Sequence, residues 1–432
     1  MLRIRRIPFL SALAARRAEE VPRLTCRTAP VLGLALMVAA VGCREDATSP
    51  TSPKEPAVPA LTTTAAQALS FRQLSAGENH TCGITTDSVA YCWGHNEFGQ
   101  LGIGTITLEQ LTPLRVAGTL RLRQVSAAVF HTCGVTPDNR AFCWGHNGTG
   151  RLGDGTTTRR LTPVEVVGDR RFRQVSASSG HTCAITPFDV AFCWGDNDLG
   201  QLGDGTITER HRPVRVAGGL HFRQLSAGGT LGSFHTCGVT TDNVAYCWGR
   251  NDLGQLGDGT TTKRLKPVRV AGGLQFLQVR AAEAHTCGLT LGHRVFCWGE
   301  NRFGQLGDGT TTQRLTPVRV VGGLQFNQVS AGGSTRVDAG FAFTCGVIPG
   351  DRTFCWGAND FGQLGDGTTS NRLTPGAVAG GRRFRQVSAG SGHACAITPF
   401  DVAFCWGLNR FGQLGDGTRN TRLTPVRVVG AN

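Results

Sequence analysis

A cysteine, nine residues, then Cys-Trp-Gly: this string occurs seven times, pairing Cys82 with Cys92, Cys133 with Cys143, Cys183 with Cys193, Cys237 with Cys247, Cys287 with Cys297, Cys345 with Cys355 and Cys395 with Cys405. All seven tryptophans stand in it, spaced 51, 50, 54, 50, 58 and 50 residues apart. A repeat near fifty residues, made of short β-type runs and Gly-rich turns, cannot bury its apolar faces alone. It must stack on its neighbours, which points to a propeller or array rather than a mixed globule. Length alone would allow the 432 residues two or three ordinary domains, but the units fill nearly everything after residue 69.

One unit reads as four strands. Phe172–Ala177 alternates, Ser178–Gly180 turns the chain, His181–Thr186 is the next strand, Pro187–Asp189 a hairpin loop and Val190–Trp194 the third strand. A Gly-rich connection over 195–210 leads to a fourth strand around Pro213–Val216. Alternation puts Cys183, Ile185, Ala191 and Cys193 on one face and Phe192 and Trp194 on the other. A sheet buried on both sides needs this: a small disulfide face receiving the aromatic face of its neighbour, with the aromatics as core. The first unit opens at Phe71 with no Pro-Val-type strand before it, and the chain ends on such a strand at Leu423–Val428. The sequence therefore predicts a ring closed by strand exchange, with Thr424–Val428 pairing with Phe71–Ala76 in one blade and hiding both edges.

Sixteen cysteines divide into Cys26, Cys43 and the seven pairs, leaving no odd thiol in the repeats. An even set at fixed spacing in an exported chain reads as a disulfide framework. Zinc is the competing reading, but its ligand pairs usually lie two to four residues apart, and no second pair completes a tetrahedron within a unit. In a hairpin centred on Thr86-Asp87-Ser88, Cys82 falls opposite Cys92, Gly83 opposite Tyr91, Ile84 opposite Ala90 and Thr85 opposite Val89. Directly opposed residues are close enough to bridge. Closing so short a loop contributes about 2.5–3 kcal/mol in the chain-entropy account.

The front of the chain supplies the export context. Seven arginines precede an apolar run of 14 residues, Ala29–Gly42, too short to span a bilayer comfortably and suited to a secretory signal. Ala40-Val41-Gly42-Cys43 resembles a bacterial lipoprotein box, in which Cys43 is lipidated and becomes the mature N-terminus; Ala40 stands where Leu is usual. Ordinary cleavage near Gly42 is the alternative, and Arg5-Arg6 is too poorly spaced for a twin-arginine signal. The expected organisation is a signal over 1–43, a flexible Pro/Ser/Thr tether over 44–68 and a repeat domain over 69–432. The signal carries seven Arg and two Glu, a net +5, so the mature chain keeps about +9 of the total +14, spread over all units. Such a spread is a solvated surface, and with no Lys/Arg-dense helix and no basic–aromatic groove nucleic acid is not expected as a partner.

Phe-x-Gln-Val-Ser-Ala-Gly, His-Thr-Cys, Cys-Trp-Gly-x-Asn and Phe-Gly-Gln-Leu-Gly-Asp-Gly-Thr resemble the repeats of the regulator of chromosome condensation family, over residues 71–430. The resemblance implies an all-β, seven-bladed β-propeller with four antiparallel strands per blade. That family includes an exchange factor for a small GTPase that also binds chromatin, a secreted β-lactamase inhibitor and many exported bacterial proteins. With its signal and paired cysteines this chain is most similar to the last group.

Candidate sites are few. His80, His131, His181, His235, His285 and His393 recur at one rank, with Phe343 in the sixth unit. A position shared by every blade reads as a structural hydrogen bond rather than a metal ring. The Gly-Asp-Gly-Thr turns (Asp154, Asp204, Asp258, Asp308, Asp366, Asp416) lack the alternating oxygen ligands of a calcium loop and become Gly102-Ile103-Gly104 in the first unit. No nucleophile elbow, His-Glu-x-x-His or phosphate-binding loop occurs. The expectation is a chain with no catalytic residues, metal or cofactor. Two insertions depart from the repeat: Gly229–Phe234 in the fourth unit and Gly333–Phe343 in the sixth, expected between the second and third strands of their blades and on one face. They nominate Thr230, Leu231, Phe234, Arg336, Asp338 and Phe341 as partner-binding residues, with Phe234, Arg336 and Phe341 as anchors. The leading reading is an exported, lipid-anchored, monomeric scaffold that binds a protein or a glycan, in the cell envelope, or secreted if Cys43 is not lipidated. An exported lyase or hydrolase using the central channel is the alternative, and a nucleotide-exchange regulator a more distant one.

Overall fold

A computed structural model describes residues 69–430 apart from 231, 233 and 335–340. Residues 1–68, read from sequence as signal and tether and including Cys43, lie outside the described residues. The described chain forms seven four-stranded antiparallel sheets arranged as the blades of a β-propeller. The first blade consists of β1 (Phe71–Ala76), β2 (His80–Thr85), β3 (Ala90–His95) and β4 (Glu109–Arg115), in that order from the axis outward. Each later blade repeats this plan, the seventh ending on Arg422–Arg427.

The hairpin register agrees with the sequence: Cys82 opposes Cys92, Gly83 opposes Tyr91 and Ile84 opposes Ala90. All seven cysteine pairs are bonded within their own blades, as the spacing predicts. Cys82 is bonded to Cys92, Cys133 to Cys143, Cys183 to Cys193 and Cys237 to Cys247. Cys287 is bonded to Cys297, Cys345 to Cys355 and Cys395 to Cys405. Their Cα atoms lie 4.0–4.1 Å apart, because a directly opposed pair in each hairpin brings the two strands within bridging distance. The face assignment also agrees. Cys183, Ile185, Ala191 and Cys193 of the third blade pack on Phe222 and Trp248 of the fourth, and the same grouping recurs at every blade junction. All seven indoles are fully buried; truncating a side chain so placed costs about 3–5 kcal/mol.

Ring closure differs from the expectation. Arg422–Arg427 pairs with the strand before it, Cys405 opposite Val426 and Phe404 opposite Arg427, while β1 has only β2 beside it. The blade therefore begins with the Phe-type strand, and the two insertions join its first and second strands. The Gly-Gln-Leu-Gly segment connects the third and outermost strands of one blade and clasps the next. In the seventh blade the Gln413 carbonyl accepts from Trp93 Nε1 (3.0 Å) and from Thr81 Oγ1 (2.9 Å) of the first. Gly417 N donates to Leu111 O at 3.0 Å, and Ala76 N to Ser388 Oγ at 3.0 Å. The last junction thus repeats the Trp clasp of the other six, and no exchanged strand is required. The clasp needs glycine: at Gly415, in the left-handed region at φ 69°, a Cβ would lie 2.7 Å from the Trp93 indole nitrogen.

Candidate functional site

The recurrent histidines are part of the joints between blades. His181 Nε2 lies 2.8 Å from Thr236 Oγ1 of the fourth blade, and that hydroxyl donates to the Gln201 carbonyl at 2.9 Å. Since the threonine proton is committed to the carbonyl, the imidazole must donate from Nε2, which fixes the tautomer. The same relay joins His80 to Thr132, His131 to Thr182, His235 to Thr286, His285 to Thr344 and His393 to Thr81. Burial lowers His80, His181, His235, His285 and His393 to a pKa of about 3. They are neutral structural donors at ordinary pH.

The turn aspartates are likewise built in. Asp154 accepts from Thr156 N (3.0 Å) and Asn147 Nδ2 (3.0 Å) and is ion-paired to Arg160 at 2.8 Å. Burial opposes ionisation of Asp154, but hydrogen bonds from Thr156, Arg160 and Asn147 outweigh it and hold the carboxyl below its ordinary pKa. Equivalent pairs link Asp204 to Arg210, Asp258 to Arg264, Asp308 to Arg314, Asp366 to Arg372 and Asp416 to Arg422. Among the described residues no three His, Cys, Asp or Glu side chains come together as a metal site.

Both insertions emerge on the face that carries the clasp connections, in the fourth and sixth blades. Their aromatic residues do not protrude. Phe234 is 7% exposed and sets its ring edge-on against His181, with centroids 6.1 Å apart. Phe341 is 8% exposed, stacks on Phe361 at 5.0 Å and lies against Gly392. Thr230 is buried as well. A large apolar ring in a loop gains more by plugging a blade junction than by facing water, so these two serve as supports rather than free anchors. Leu231, Arg336 and Asp338 lie outside the described residues.

What this face offers instead is a band of aromatics, with His95 buried at the end of β3 and Phe98, Phe130, His146 and Phe411 half-buried on clasp and turn segments. Phe411 packs on His95 (4.5 Å), His95 on Phe98 (5.9 Å), and Phe98 on Phe130 (4.9 Å) and His146 (5.5 Å), crossing the seventh, first and second blades. At one end of the band a groove of about 160 Å³ opens between Phe341, Phe361, Leu408, Phe411 and the Glu78-Asn79 turn. Phe-Gly-Gln-Leu-Gly is repeat consensus, so these residues do not stand out in the sequence. The usable signal is which units keep the Phe. On the opposite face Phe188 and Phe400 project from the hairpins of the third and seventh blades, 82% and 86% exposed.

The axis is lined by the innermost strands and holds a cavity of about 590 Å³. Its wall carries a tier of glutamines and a tier of serines that tie each blade to the next. Gln73 Nε2 donates to Val125 O (3.0 Å), Val125 N donates to Gln73 Oε1 (3.0 Å), and Ala127 N donates to Ser75 Oγ (2.9 Å). Among the described residues lining this cavity there is no His, Asp or Glu, so a converging acid–base pair of the kind a channel enzyme needs is not found there. A smaller axial space of about 110 Å³ on the insertion face is bordered by the first turns of the blades, with Glu78 and Glu283 buried and engaged.

A seven-bladed ring whose every joint is a Trp clasp, most of them reinforced by a His–Thr relay, defines the class: a disulfide-stapled repeat propeller. The RCC1-like domain model matches residues 37–344, and the regulator of chromosome condensation (RCC1) repeat model matches 351–397 and 402–432. The chain belongs to the RCC1-like propeller family. It is 29% identical to the ultraviolet-B receptor UVR8 of Arabidopsis thaliana over 202 residues, 46% of each chain. It is 30% identical to human E3 ubiquitin-protein ligase HERC2 over 206 residues, 47% of this chain and 4% of that protein. The matched stretch thus spans about half of the first relative and a small part of the second. Among solved structures, human WBSCR16 superposes with a TM-score of 0.69 at 21% identity, covering 79% of this chain and 94% of that one. Yeast RCC1 (Prp20), crystallised with Kap60, gives 0.68 at 19% identity, covering 84% and 85%. At these identities the structural likeness concerns the fold.

Proposed function

We propose that this protein is an exported, lipid-anchored and non-catalytic propeller that captures a protein partner on its insertion face. The observation that carries the reading is the aromatic band from Phe411 to Phe130 with the groove beside Phe341. It is an apolar recess edged by Arg410, on the face where the repeat is least constrained, and interfaces favour such aromatic and arginine clusters. Seven disulfides suit an oxidising compartment, and the Cys43 box supplies the anchor. Among the described residues no helix is long and apolar enough to cross a membrane. Yeast RCC1, which shares this fold, was crystallised bound to another protein, Kap60.

The test is capture from intact envelope by the mature chain, compared with a Phe98→Ala/Phe411→Ala variant and with a variant in which both insertions are replaced by the short Ser391-Gly392 turn of the seventh blade. Loss of the same partner in both variants, with the fold kept, supports the reading. Wild-type capture by both sends the search to the hairpin face of Phe188 and Phe400. Mass analysis of the N-terminal peptide decides lipidation: an unmodified Cys43 thiol removes the anchor.

A further inference from the structure

The tier of serines around the axis is broken once. Ser75, Ser126, Ser176, Ser226, Ser330 and Ser388 occupy one shared position of their innermost strands, and the fifth blade has Arg280 there. Each serine oxygen accepts a backbone N–H from the next blade: Ala281 N donates to Ser226 Oγ at 3.0 Å and Ala389 N to Ser330 Oγ at 3.0 Å. With the oxygen occupied as acceptor by the main chain, the hydroxyl proton is left to donate. The carboxamides of the tier beside it behave alike. Gln224 Nε2 spends its donors on Leu225 O and Val279 O while its oxygen accepts from Val279 N. All six serine oxygens and most of the glutamine oxygens of the wall thus already accept a main-chain N–H, while the serine hydroxyl protons have no acceptor among the described residues.

Into this lumen Arg280 brings a full positive charge. It makes no hydrogen bond or ion pair with any described residue, and the described cavity wall holds no carboxylate to balance it. Other arginines of these strands do find partners near the hairpin mouth: Arg173 pairs with Asp189 at 2.6 Å, and Arg72 donates to Leu122 O at 2.6 Å. Enclosure by the wall lowers the Arg280 pKa to about 10, which still leaves it protonated at neutral pH. A half-buried cation without a counter-charge still costs the fold something, and the six other blades show that the position is satisfied by serine.

We propose that the axial cavity is a receptor for a small organic oxyanion, with the Arg280 guanidinium as its ionic partner and the flanking Ser226 and Ser330 hydroxyls as neutral donors. The fork of an arginine matches the two oxygens of a carboxylate or a phosphoryl group. About 590 Å³ has room for a multi-atom ligand such as a polycarboxylate or a phosphorylated sugar. The site lies on the axis and stands independently of the partner face.

Calorimetric titration of the purified full chain with citrate and with inorganic phosphate, at an ionic strength fixed by sodium chloride, tests this. Saturable one-to-one binding is expected for at least one of them, and the better binder tells a carboxylate ligand from a phosphoryl one. Arg280→Ser restores the residue found in the other six blades, so the ring is kept. It should weaken binding about 10- to 100-fold, with Arg280→Lys in between. In chloride buffer Arg280→Ser should melt higher than wild type and lose the citrate- or phosphate-dependent gain in melting temperature. Absence of saturable binding to both probes in the wild type, or unchanged affinity in Arg280→Ser, overturns the proposal.

Discussion

The junction between the third and fourth blades and the junction between the sixth and seventh occupy the same repeat positions and are joined by different chemistry. In the first, His181 donates to Thr236, which donates to the Gln201 carbonyl, so the seam carries a buried polar relay. In the second, Phe343 stands for the histidine and Ala394 for the threonine, both fully buried in one apolar cluster. The Trp406 indole still donates to the Gln363 carbonyl at 2.9 Å, so the clasp survives when the relay is gone. The pairwise loss is the lesson. Either half of the relay alone would leave a buried polar group without its partner, whereas replacing both by apolar groups can be nearly neutral.

Acid should separate the two junctions most strongly. The unfolded chain protonates its imidazoles near pH 6.5, whereas the folded chain holds the relay histidines neutral down to about pH 3. Between these values the unfolded state binds more protons, so stability is full above about pH 6.5 and is lost progressively as pH falls toward 3. Denaturant midpoints should drop steeply over that window. Amide exchange should show the Phe343–Ala394 junction as the least pH-dependent of the seven; uniform acid sensitivity across all junctions would count against the relay as the cause.

Mixing the two chemistries should come next in size. Phe343→His buries an imidazole opposite Ala394 and removes apolar packing, at a cost of about 3 kcal/mol, and adding Ala394→Thr should recover most of it. A smaller loss, about 2 kcal/mol, is expected for Thr236→Ala, which strands the His181 donor. Adding His181→Phe to that variant should restore stability rather than lower it further. Double-mutant cycles in urea measure both couplings, and additive costs at either junction would break the comparison.

The paired substitutions at residues 343 and 394 are readable in the sequence. They escape a reading that compares each histidine with other histidines and not with the threonine one blade on. Cys82 with Cys92 and the six like pairs, among them Cys133 with Cys143 and Cys287 with Cys297, are legible because a period-2 strand and a short hairpin leave one register. Blade phase is not. Seven strands of each type can be grouped into blades from either end, and what decides the phase is the clasp, where Gly415 lies against Trp93 across 322 residues of chain. Phe234 and Phe341 stand out as departures from the repeat, yet sequence does not say whether a loop aromatic faces water or plugs a seam. Arg280 is visible as Val-Arg-Ala among Val-Ser-Ala and Leu-Ser-Ala repeats, but only the closed ring turns that position toward an enclosed axis.

The smallest effect tests the same pairing rule on the outer surface. Five blades besides the second repeat the Asp154–Arg160 pair, but the first blade has Ile103 for the aspartate and Gln110 for the arginine, again a change in both members. Ile103 is half-buried against the first-blade core, so Ile103→Asp alone should destabilise by about 1–2 kcal/mol, losing apolar contact and gaining an unpaired carboxylate. Gln110→Arg alone should change little, since it adds a solvated charge. Together they should couple favourably by about 0.5–1 kcal/mol, because the carboxylate is enclosed while the guanidinium stays partly exposed and screened. The coupling should shrink in high salt and vanish below the pKa of the new carboxyl. A coupling indistinguishable from zero at low salt would mean that the outer-turn pairs contribute geometry to Gly-Asp-Gly-Thr but no measurable stability, and that the paired-loss rule holds only where both partners are buried.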